Sequence, residues 1–329
     1  MLAKKGNSFF PFVLCMLLIA GLFLTGCGTE KANENGNANE KDHIIRIGYQ
    51  KNGPLLILKE RGTLDKRLKE LGYQVEWKEF QAGPALVEAL NAGSIDFGRT
   101  GNTPPIFSQA SGAPFVYVAA GKSKYEGSGI LVPKDSSIKK LEDLKGKKIG
   151  FAKGSSSHYL LVKALEKAGL SYEEITPAFL QPGDARVAFE QGNIDAWVTW
   201  DPYTSSTELD TGARLLVDGK GLTTDRDFFL AHEQFANTHQ DIIPVIIEEI
   251  RHSSDWANTH HEELTQLLAQ TLKLDESSIK KAIERRVYGV DNIDQGIIDE
   301  QQEIADTFYK LKITPVELNV LDVMQTEEK

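Results

Sequence analysis

At 329 residues, with 41% hydrophobic and 26% charged residues, the chain has an ordinary globular composition and length for about two domains of roughly 100–200 residues,. A formal net charge of −10 argues against nucleic acid, whose binders usually present a basic face,. It leaves room for a small anionic ligand, because salt screens distant surface charge and a few oriented donors outweigh it.

Lys4 and Lys5 precede an apolar run, residues 9–24, that ends in Leu24-Thr25-Gly26-Cys27. A charged start, a short apolar stretch and small residues at its end form a secretory signal, shorter than a spanning helix needs. Leu-Thr-Gly-Cys resembles the bacterial lipobox. That resemblance implies removal of residues 1–26 and acylation of Cys27, palmitate included, at the extracytoplasmic face of the cell membrane. A permanent N-terminal anchor is the alternative. Cys15 would leave with the signal, so no disulfide or cysteine-based metal site is expected in the mature chain,. Residues 27–43 are polar after the cysteine and read as a flexible tether.

From residue 44 onward, strand-like and helix-like segments alternate. Strands are expected at 44–49, 75–80, 95–97 and 115–120, with helices at 55–71, 84–91 and 103–110. The order recurs with strands near 130–132, 148–152, 178–180 and 196–200, and helices at 159–168 and 185–191. Such alternation predicts helix-covered, mainly parallel sheets. Residues 228–235 read as one more strand, followed by helices at 241–256, 262–269, 277–287 and 294–311, a tail expected to pack back on the first half.

The middle of the chain repeats its beginning. Ile47-Gly48-Tyr49-Gln50 recurs as Ile149-Gly150-Phe151-Ala152, Gln81-Ala82-Gly83 as Gln181-Pro182-Gly183, and Ser94-Ile95-Asp96-Phe97 as Asn193-Ile194-Asp195-Ala196, each offset by about 100 residues,. Two similar α/β lobes with a ligand cleft between them follow. The division expected is 44–124 and 228–329 for lobe 1 and 125–227 for lobe 2. The two crossings, near 121–128 and 222–227, would form a hinge that permits closure on a ligand.

Candidate binding residues lie at strand ends and helix starts. Lys153-Gly154-Ser155-Ser156-Ser157-His158 follows a strand and opens a helix, where free N–H groups attract anions,. Simple N-capping by one serine is the plainer explanation. In the first lobe Gly98-Arg99-Thr100-Gly101-Asn102-Thr103-Pro104 is the counterpart, with Thr100 or Asn102 as donors, Gly101 for close approach and Pro104 for a first helical turn,. Arg99 is open between pairing with the anion and lying in solvent. Gln50 and Asn52 end the first strand as further donors. Trp200 and Tyr203 of Trp197-Val198-Thr199-Trp200-Asp201-Pro202-Tyr203 suit an apolar wall,, while Trp197, aligned with Phe97, suits the core. Asp201 sits poorly in an anion site and is better used holding backbone donors.

Taken together, Gly48-Tyr49-Gln50-Lys51, Phe80-Gln81-Ala82-Gly83-Pro84, Gly93-Ser94-Ile95-Asp96, Thr100-Gly101-Asn102-Thr103-Pro104-Pro105, Gly154-Ser155-Ser156-Ser157-His158 and Trp200-Asp201-Pro202-Tyr203 resemble the solute-binding proteins of ABC transporters for aliphatic sulfonates. The resemblance covers most of the chain beyond the signal. It implies the two-lobed type 2 periplasmic-binding-protein fold and delivery of alkanesulfonates, as a sulfur source, to a permease driven by an ATPase. Thr100, Gly101, Gly154, Ser155, Ser156, His158 and Trp200 fall on motif positions around the sulfonate and its tail. Arg99 and Asn102 depart from the family pattern, in which a small residue and Asp are common, and this weakens taurine as ligand. Binders of taurine, nitrate or a thiamine-precursor pyrimidine are the alternatives, with a pyrimidine-precursor synthase the enzymatic one. No Gly-x-Ser-x-Gly elbow is present, and His252, His260 and His261 lack a fourth zinc ligand,. A monomeric binding protein without cofactor or metal is expected.

Overall fold

The computed structural model describes residues 43–325. The signal and tether, Cys27 included, therefore lie outside the described residues, apart from the last tether residue. Within them two sheets form. The first contains β1 (Ile44–Gln50), β2 (Gln74–Phe80), β3 (Phe97–Gly101), β4 (Phe115–Gly121), β10 (Asp227–His232) and β11 (Val290–Asp291) in the order β11-β4-β10-β3-β1-β2. The second contains β5 (Ser128–Val132), β6 (Lys148–Phe151), β7 (Thr176–Phe179), β8 (Ala196–Trp200) and β9 (Arg214–Asp218) in the order β7-β6-β8-β5-β9.

Helices cover both faces of each sheet. They are α1 (Pro54–Arg61), α2 (Thr63–Glu70), α3 (Gly83–Asn91), α4 (Pro104–Ala110), α5 (Ser156–Lys167), α6 (Pro182–Glu190), α7 (Tyr203–Thr211), α8 (Glu233–Thr238), α9 (Ile242–Thr259), α10 (His261–Leu272), α11 (Glu276–Glu284) and α12 (Gln295–Lys310). The core on one face of the first sheet is filled by α1, α2 and α8–α11, and that on the other by α3, α4 and α12. In the second sheet, α5 packs on one face and α6 on the other. Tyr159 and Val162 of α5 also enter the core of the first sheet, against Phe308 and its neighbours on α12. The two sheets thus share packing contacts behind the space that separates them.

The repeated residues have a packing explanation. Gly48 and Gly150 occupy equivalent places in β1 and β6, and a Cβ on either would run into the Cδ1 of Ile95 or Ile194. The aspartates that follow, Asp96 and Asp195, accept the backbone N–H of Arg46 and Lys148 at 2.8 and 2.7 Å, while their own N–H groups return the bond to the same residues. Asp96 also binds the Arg46 guanidinium. The Ile-Asp pair therefore clamps each central strand beside a glycine that makes space for it.

Several expectations differ from what forms. The sheets are mixed rather than mainly parallel: β10 runs antiparallel to β3 and β4, β11 to β4, and β5 to β8 and β9. Only the β2-β1-β3 and β7-β6-β8 halves are parallel. β5 and β10 enter directly from the other sheet without a crossover helix, which frees them from the parallel rule, whereas β9 and β11 follow helices of their own sheets and join as edge strands,. The single helix expected at 55–71 is broken at Gly62, whose left-handed φ of 66° ends α1 with its N–H on Leu58 and Lys59 carbonyls,. The strand expected at 228–235 stops at His232, which caps α8 by accepting the Gln234 N–H.

The chain passes between the sheets twice, after β4 and again after β9. The crossing segments lie side by side. Lys124 N–H and Ser123 Oγ both donate to the Thr224 carbonyl, at 3.1 and 2.7 Å, and Lys124 Nζ pairs with Asp225 at 2.7 Å.

Candidate functional site

A cleft of about 310 Å³, counting its open mouth, lies between the sheets at the carboxyl ends of their parallel strands, where open α/β sheets place ligands. β1 and the turn after it supply Gln50 and Asn52, and β3 supplies Arg99 and Gly101. Gly83 and Pro104 open α3 and α4. Across the cleft stand Ser155 and Ser156 at the start of α5, and Trp200 at the end of β8. Lys124 and Asp225 come from the two crossings.

The helix starts give the site its polarity. α5 opens without a side-chain cap, because the Ser155 hydroxyl donates back to the Ala152 carbonyl at 2.7 Å. α3 opens on Ala82, which has no capping side chain at all. Both helices therefore present first-turn N–H groups, with the positive end of the dipole, to the cleft. Close approach is sterically enforced: a Cβ on Gly83 would strike Thr100 Oγ1 and Pro104, and a Cβ on Gly101 would overlap Ser156 Oγ on the opposite wall.

Charge is arranged behind these helix starts. Arg99 is 1% exposed, so it is not solvated; Nη1 donates to Gln50 Oε1 at 3.2 Å and Asn52 Oδ1 at 2.9 Å, and Nη2 to Asp227. Asp227 also faces Arg286 at 3.0 Å and Lys124 at 3.5 Å. Burial pushes its carboxyl up, but Arg99, Lys124 and Arg286 together outweigh that and hold it well below the usual carboxylate range,. Arg99, Lys124 and Arg286 against Asp225 and Asp227 leave one positive charge in excess, and no basic surface is needed to produce it.

Of the residues singled out in the sequence, Gln50, Asn52, Gly101, Ser155, Ser156 and Trp200 line the cleft. Thr100, Asn102, Gly154, Ser157, His158 and Tyr203 do not. Thr100 is buried beneath Gly83. Asn102 turns toward the second crossing, donating to Thr223 Oγ1 at 3.4 Å and accepting from Thr103. Gly154 faces the Phe107 ring, Ser157 is fully covered, and Tyr203 backs Trp197 and Trp200. His158 is the largest departure. Its Nδ1 accepts the Gly154 N–H at 3.3 Å, which makes Nε2 the donor to Tyr172 Oη at 3.1 Å, and its ring lies among Phe107, Phe151 and Phe308. Burial, with a contribution from Lys153, lowers its pKa to about 4, so the ring is neutral glue between the two sheets.

Asp201 holds backbone: its Oδ1 accepts the N–H and hydroxyl of Ser205 at 2.9 and 2.6 Å in the first turn of α7. Gly83, Lys124 and Asp225 are lining residues that the sequence reading did not single out. Gly83 stood in the repeat, and the other two lay inside the expected crossings, which was the available signal. Among the described residues no group of three His, Cys, Asp or Glu could hold a metal ion, and no helix is long and apolar enough to cross a membrane.

Residues 68–264 match the family described as NMT1/THI5 like. The chain belongs to that family. A protein of Escherichia coli named for binding aliphatic sulfonates is 40% identical over 285 residues, 86% of this chain and 89% of its own. One of Bacillus subtilis with the same name is 35% identical over 314 residues, covering 94% and 93%. Among solved structures, the alkanesulfonate-binding protein SsuA of Xanthomonas axonopodis pv. citri bound to MOPS superposes with a TM-score of 0.84 at 37% identity, covering 86% of this chain and 98% of that one. The fold is thus that of the periplasmic binding proteins, with two mixed sheets. The desulfurization enzyme DSZB shares it at a TM-score of 0.62 and 12% identity, so the fold alone does not separate binders from enzymes,.

Proposed function

We propose that this chain is the extracytoplasmic solute-binding component of an ABC importer, capturing aliphatic sulfonates for sulfur uptake and delivering them to a permease and its ATPase. The observation that carries this reading is the convergence of Arg99, Lys124 and the uncapped starts of α3 and α5 on one cleft beside Trp200. A sulfonate has three acceptor oxygens spread around one small head. N–H groups of α3 and α5, the Ser156 hydroxyl and the Arg99 guanidinium would answer them, each net bond to the charged head contributing about 1.5–3 kcal/mol. The alkyl tail would run along the Trp200 indole, which gains from apolar contact.

The division into lobe 1, 44–124 with 228–329, and lobe 2, 125–227, goes with this reading and is supported by the membership of the two sheets. Capture is then closure of the lobes about the paired crossings. A binder rather than an enzyme is favoured because the Ser155 hydroxyl is spent on a carbonyl and His158 faces an aromatic cluster, so no serine of the cleft is paired with a base. We place the protein as a monomer on the cell membrane through lipid on Cys27; loss of palmitate labelling in Cys27→Ser tests that placement.

Thermal shift and calorimetry with a panel of alkanesulfonates, taurine, nitrate, sulfate and an aminopyrimidine test the ligand class. Alkanesulfonates are expected to stabilise the protein and bind with measurable heat. Stabilisation by the pyrimidine or nitrate alone would overturn the reading.

A further inference from the structure

Two polar atoms of the charged cleft residues have no hydrogen-bond partner: Arg99 Nε and Asp225 Oδ1. Both residues are 1% exposed, and each of their other side-chain polar atoms has a partner. Arg99 Nη1 and Nη2 are held by Gln50, Asn52 and Asp227. Asp225 Oδ2 accepts from Ser128 Oγ and pairs with Lys124 Nζ. A buried donor and a buried acceptor left unmatched are both costly, and a ligand that answers them recovers that cost.

A bare alkanesulfonate answers only one of the two. Its head offers acceptors, which suit Arg99 Nε, but it brings no donor to Asp225 Oδ1, and sulfonate oxygen facing a carboxylate oxygen is repelled. Asp225 Oδ1 is close to where the head would sit. The point where a Cβ on Gly101 would stand is 4.0 Å from that oxygen and falls on Ser156 Oγ at the start of α5. A donor on the second carbon of a short sulfonate spans such a separation. The charge around it selects the kind of donor: Lys124 sits on the same carboxylate at 2.7 Å, so an ammonium group would meet a like charge,, whereas a hydroxyl is neutral.

We infer that Asp225 is a specificity-determining residue that selects hydroxyalkanesulfonates, with the hydroxyl donating to Asp225 Oδ1 while the sulfonate lies on the starts of α3 and α5. This rests on the reading of the cleft as a sulfonate site. The backbone supports a fixed position for the carboxylate: Asp225 has a φ of 42°, uncommon outside glycine, and its N–H is tied to Thr223 Oγ1 at 3.0 Å,.

Calorimetry with ethanesulfonate, 2-hydroxyethanesulfonate and 2-aminoethanesulfonate, on the wild type and on Asp225→Asn, tests it. The wild type is expected to bind the hydroxyl compound about ten- to a hundredfold more tightly than ethanesulfonate, the range expected of a hydrogen bond to a buried charged group, and more tightly than the amine. In Asp225→Asn the advantage over ethanesulfonate should fall to about threefold or less, with the melting temperature recorded to show that the variant is folded. Equal binding of ethanesulfonate and its hydroxyl counterpart by the wild type overturns the inference whether or not the variant folds. So does an advantage that survives in the folded variant, or a preference for the amine. Binding of all three with no ranking leaves the sulfonate site standing and removes only the role of Asp225, whereas no binding of any sulfonate removes both.

Discussion

Replacing Gly101 by alanine should cripple ligand capture without weakening the fold. Gly101 ends β3 on one wall of the cleft, and the added Cβ would overlap Ser156 Oγ on the other wall while standing 3.4 Å from Ser156 Cβ. The hydroxyl is therefore the whole of the obstruction. Overpacking of one methyl group costs about 1–3 kcal/mol; at about 2 kcal/mol, charged only to the closed form, affinity falls roughly thirtyfold. Removing the hydroxyl by Ser156→Ala costs a bond to the charged head of the ligand, about 1.5–3 kcal/mol. In the double variant the methyl finds space that the hydroxyl occupied, so its cost should match that of Ser156→Ala alone instead of the sum of the two. Calorimetry on the four proteins with one alkanesulfonate measures this cycle, and melting of the ligand-free proteins should show little change. Additive losses in the double variant, or a Gly101→Ala protein that binds like the wild type, would refute the closure argument.

Two further predictions concern the scaffold. Gly150→Ala drives a methyl group into Ile194 Cδ1, so urea unfolding should show a loss of about 1–3 kcal/mol; adding Ile194→Val, which deletes that atom, should recover part of it, and a double variant less stable than Gly150→Ala would contradict the packing role given to the repeat. His158 has a pKa of about 4 in the fold against an ordinary 6.5, so the unfolded chain takes up its proton first as pH falls. The stability this neutral ring contributes is complete above about pH 6.5 and is lost progressively down to about pH 4, roughly 3 kcal/mol in all. Unfolding of wild type and His158→Gln at pH 7, 5.5 and 4.5 should converge as pH drops, and parallel curves would show that His158 is not titrating.

The amino-acid sequence carried much of the local pattern, although it missed the break at Gly62 and the elements α7, α8, β9 and β11. The Ile-Gly and Ile-Asp repeats placed two equivalent central strands, and the structure gives each the same glycine–isoleucine contact and aspartate clamp. Helix starts at Gly83, Pro104 and Ser155 were legible because glycine, proline and serine act within a turn of their own position. Ser155, Gly101 and Trp200, which stand at strand ends and helix starts, were singled out from the sequence and line the cleft.

What the sequence could not determine depends on partners far along the chain. Arg99 is decided by Asp227, 128 residues away, which comes beside it only because β10 inserts antiparallel between β3 and β4. His158 sits in a motif that reads as a ligand site, yet Phe308 and Phe107 arrive from the other sheet and enclose it. Lys124 and Asp225 lie in the crossing segments, whose side chains reach the cleft wall only once the two sheets have packed. Periodicity and capping are local and survive in one dimension. Charge balance, burial and the direction of a strand are properties of the assembled sheets, and they alone decided which of the polar residues line the cleft.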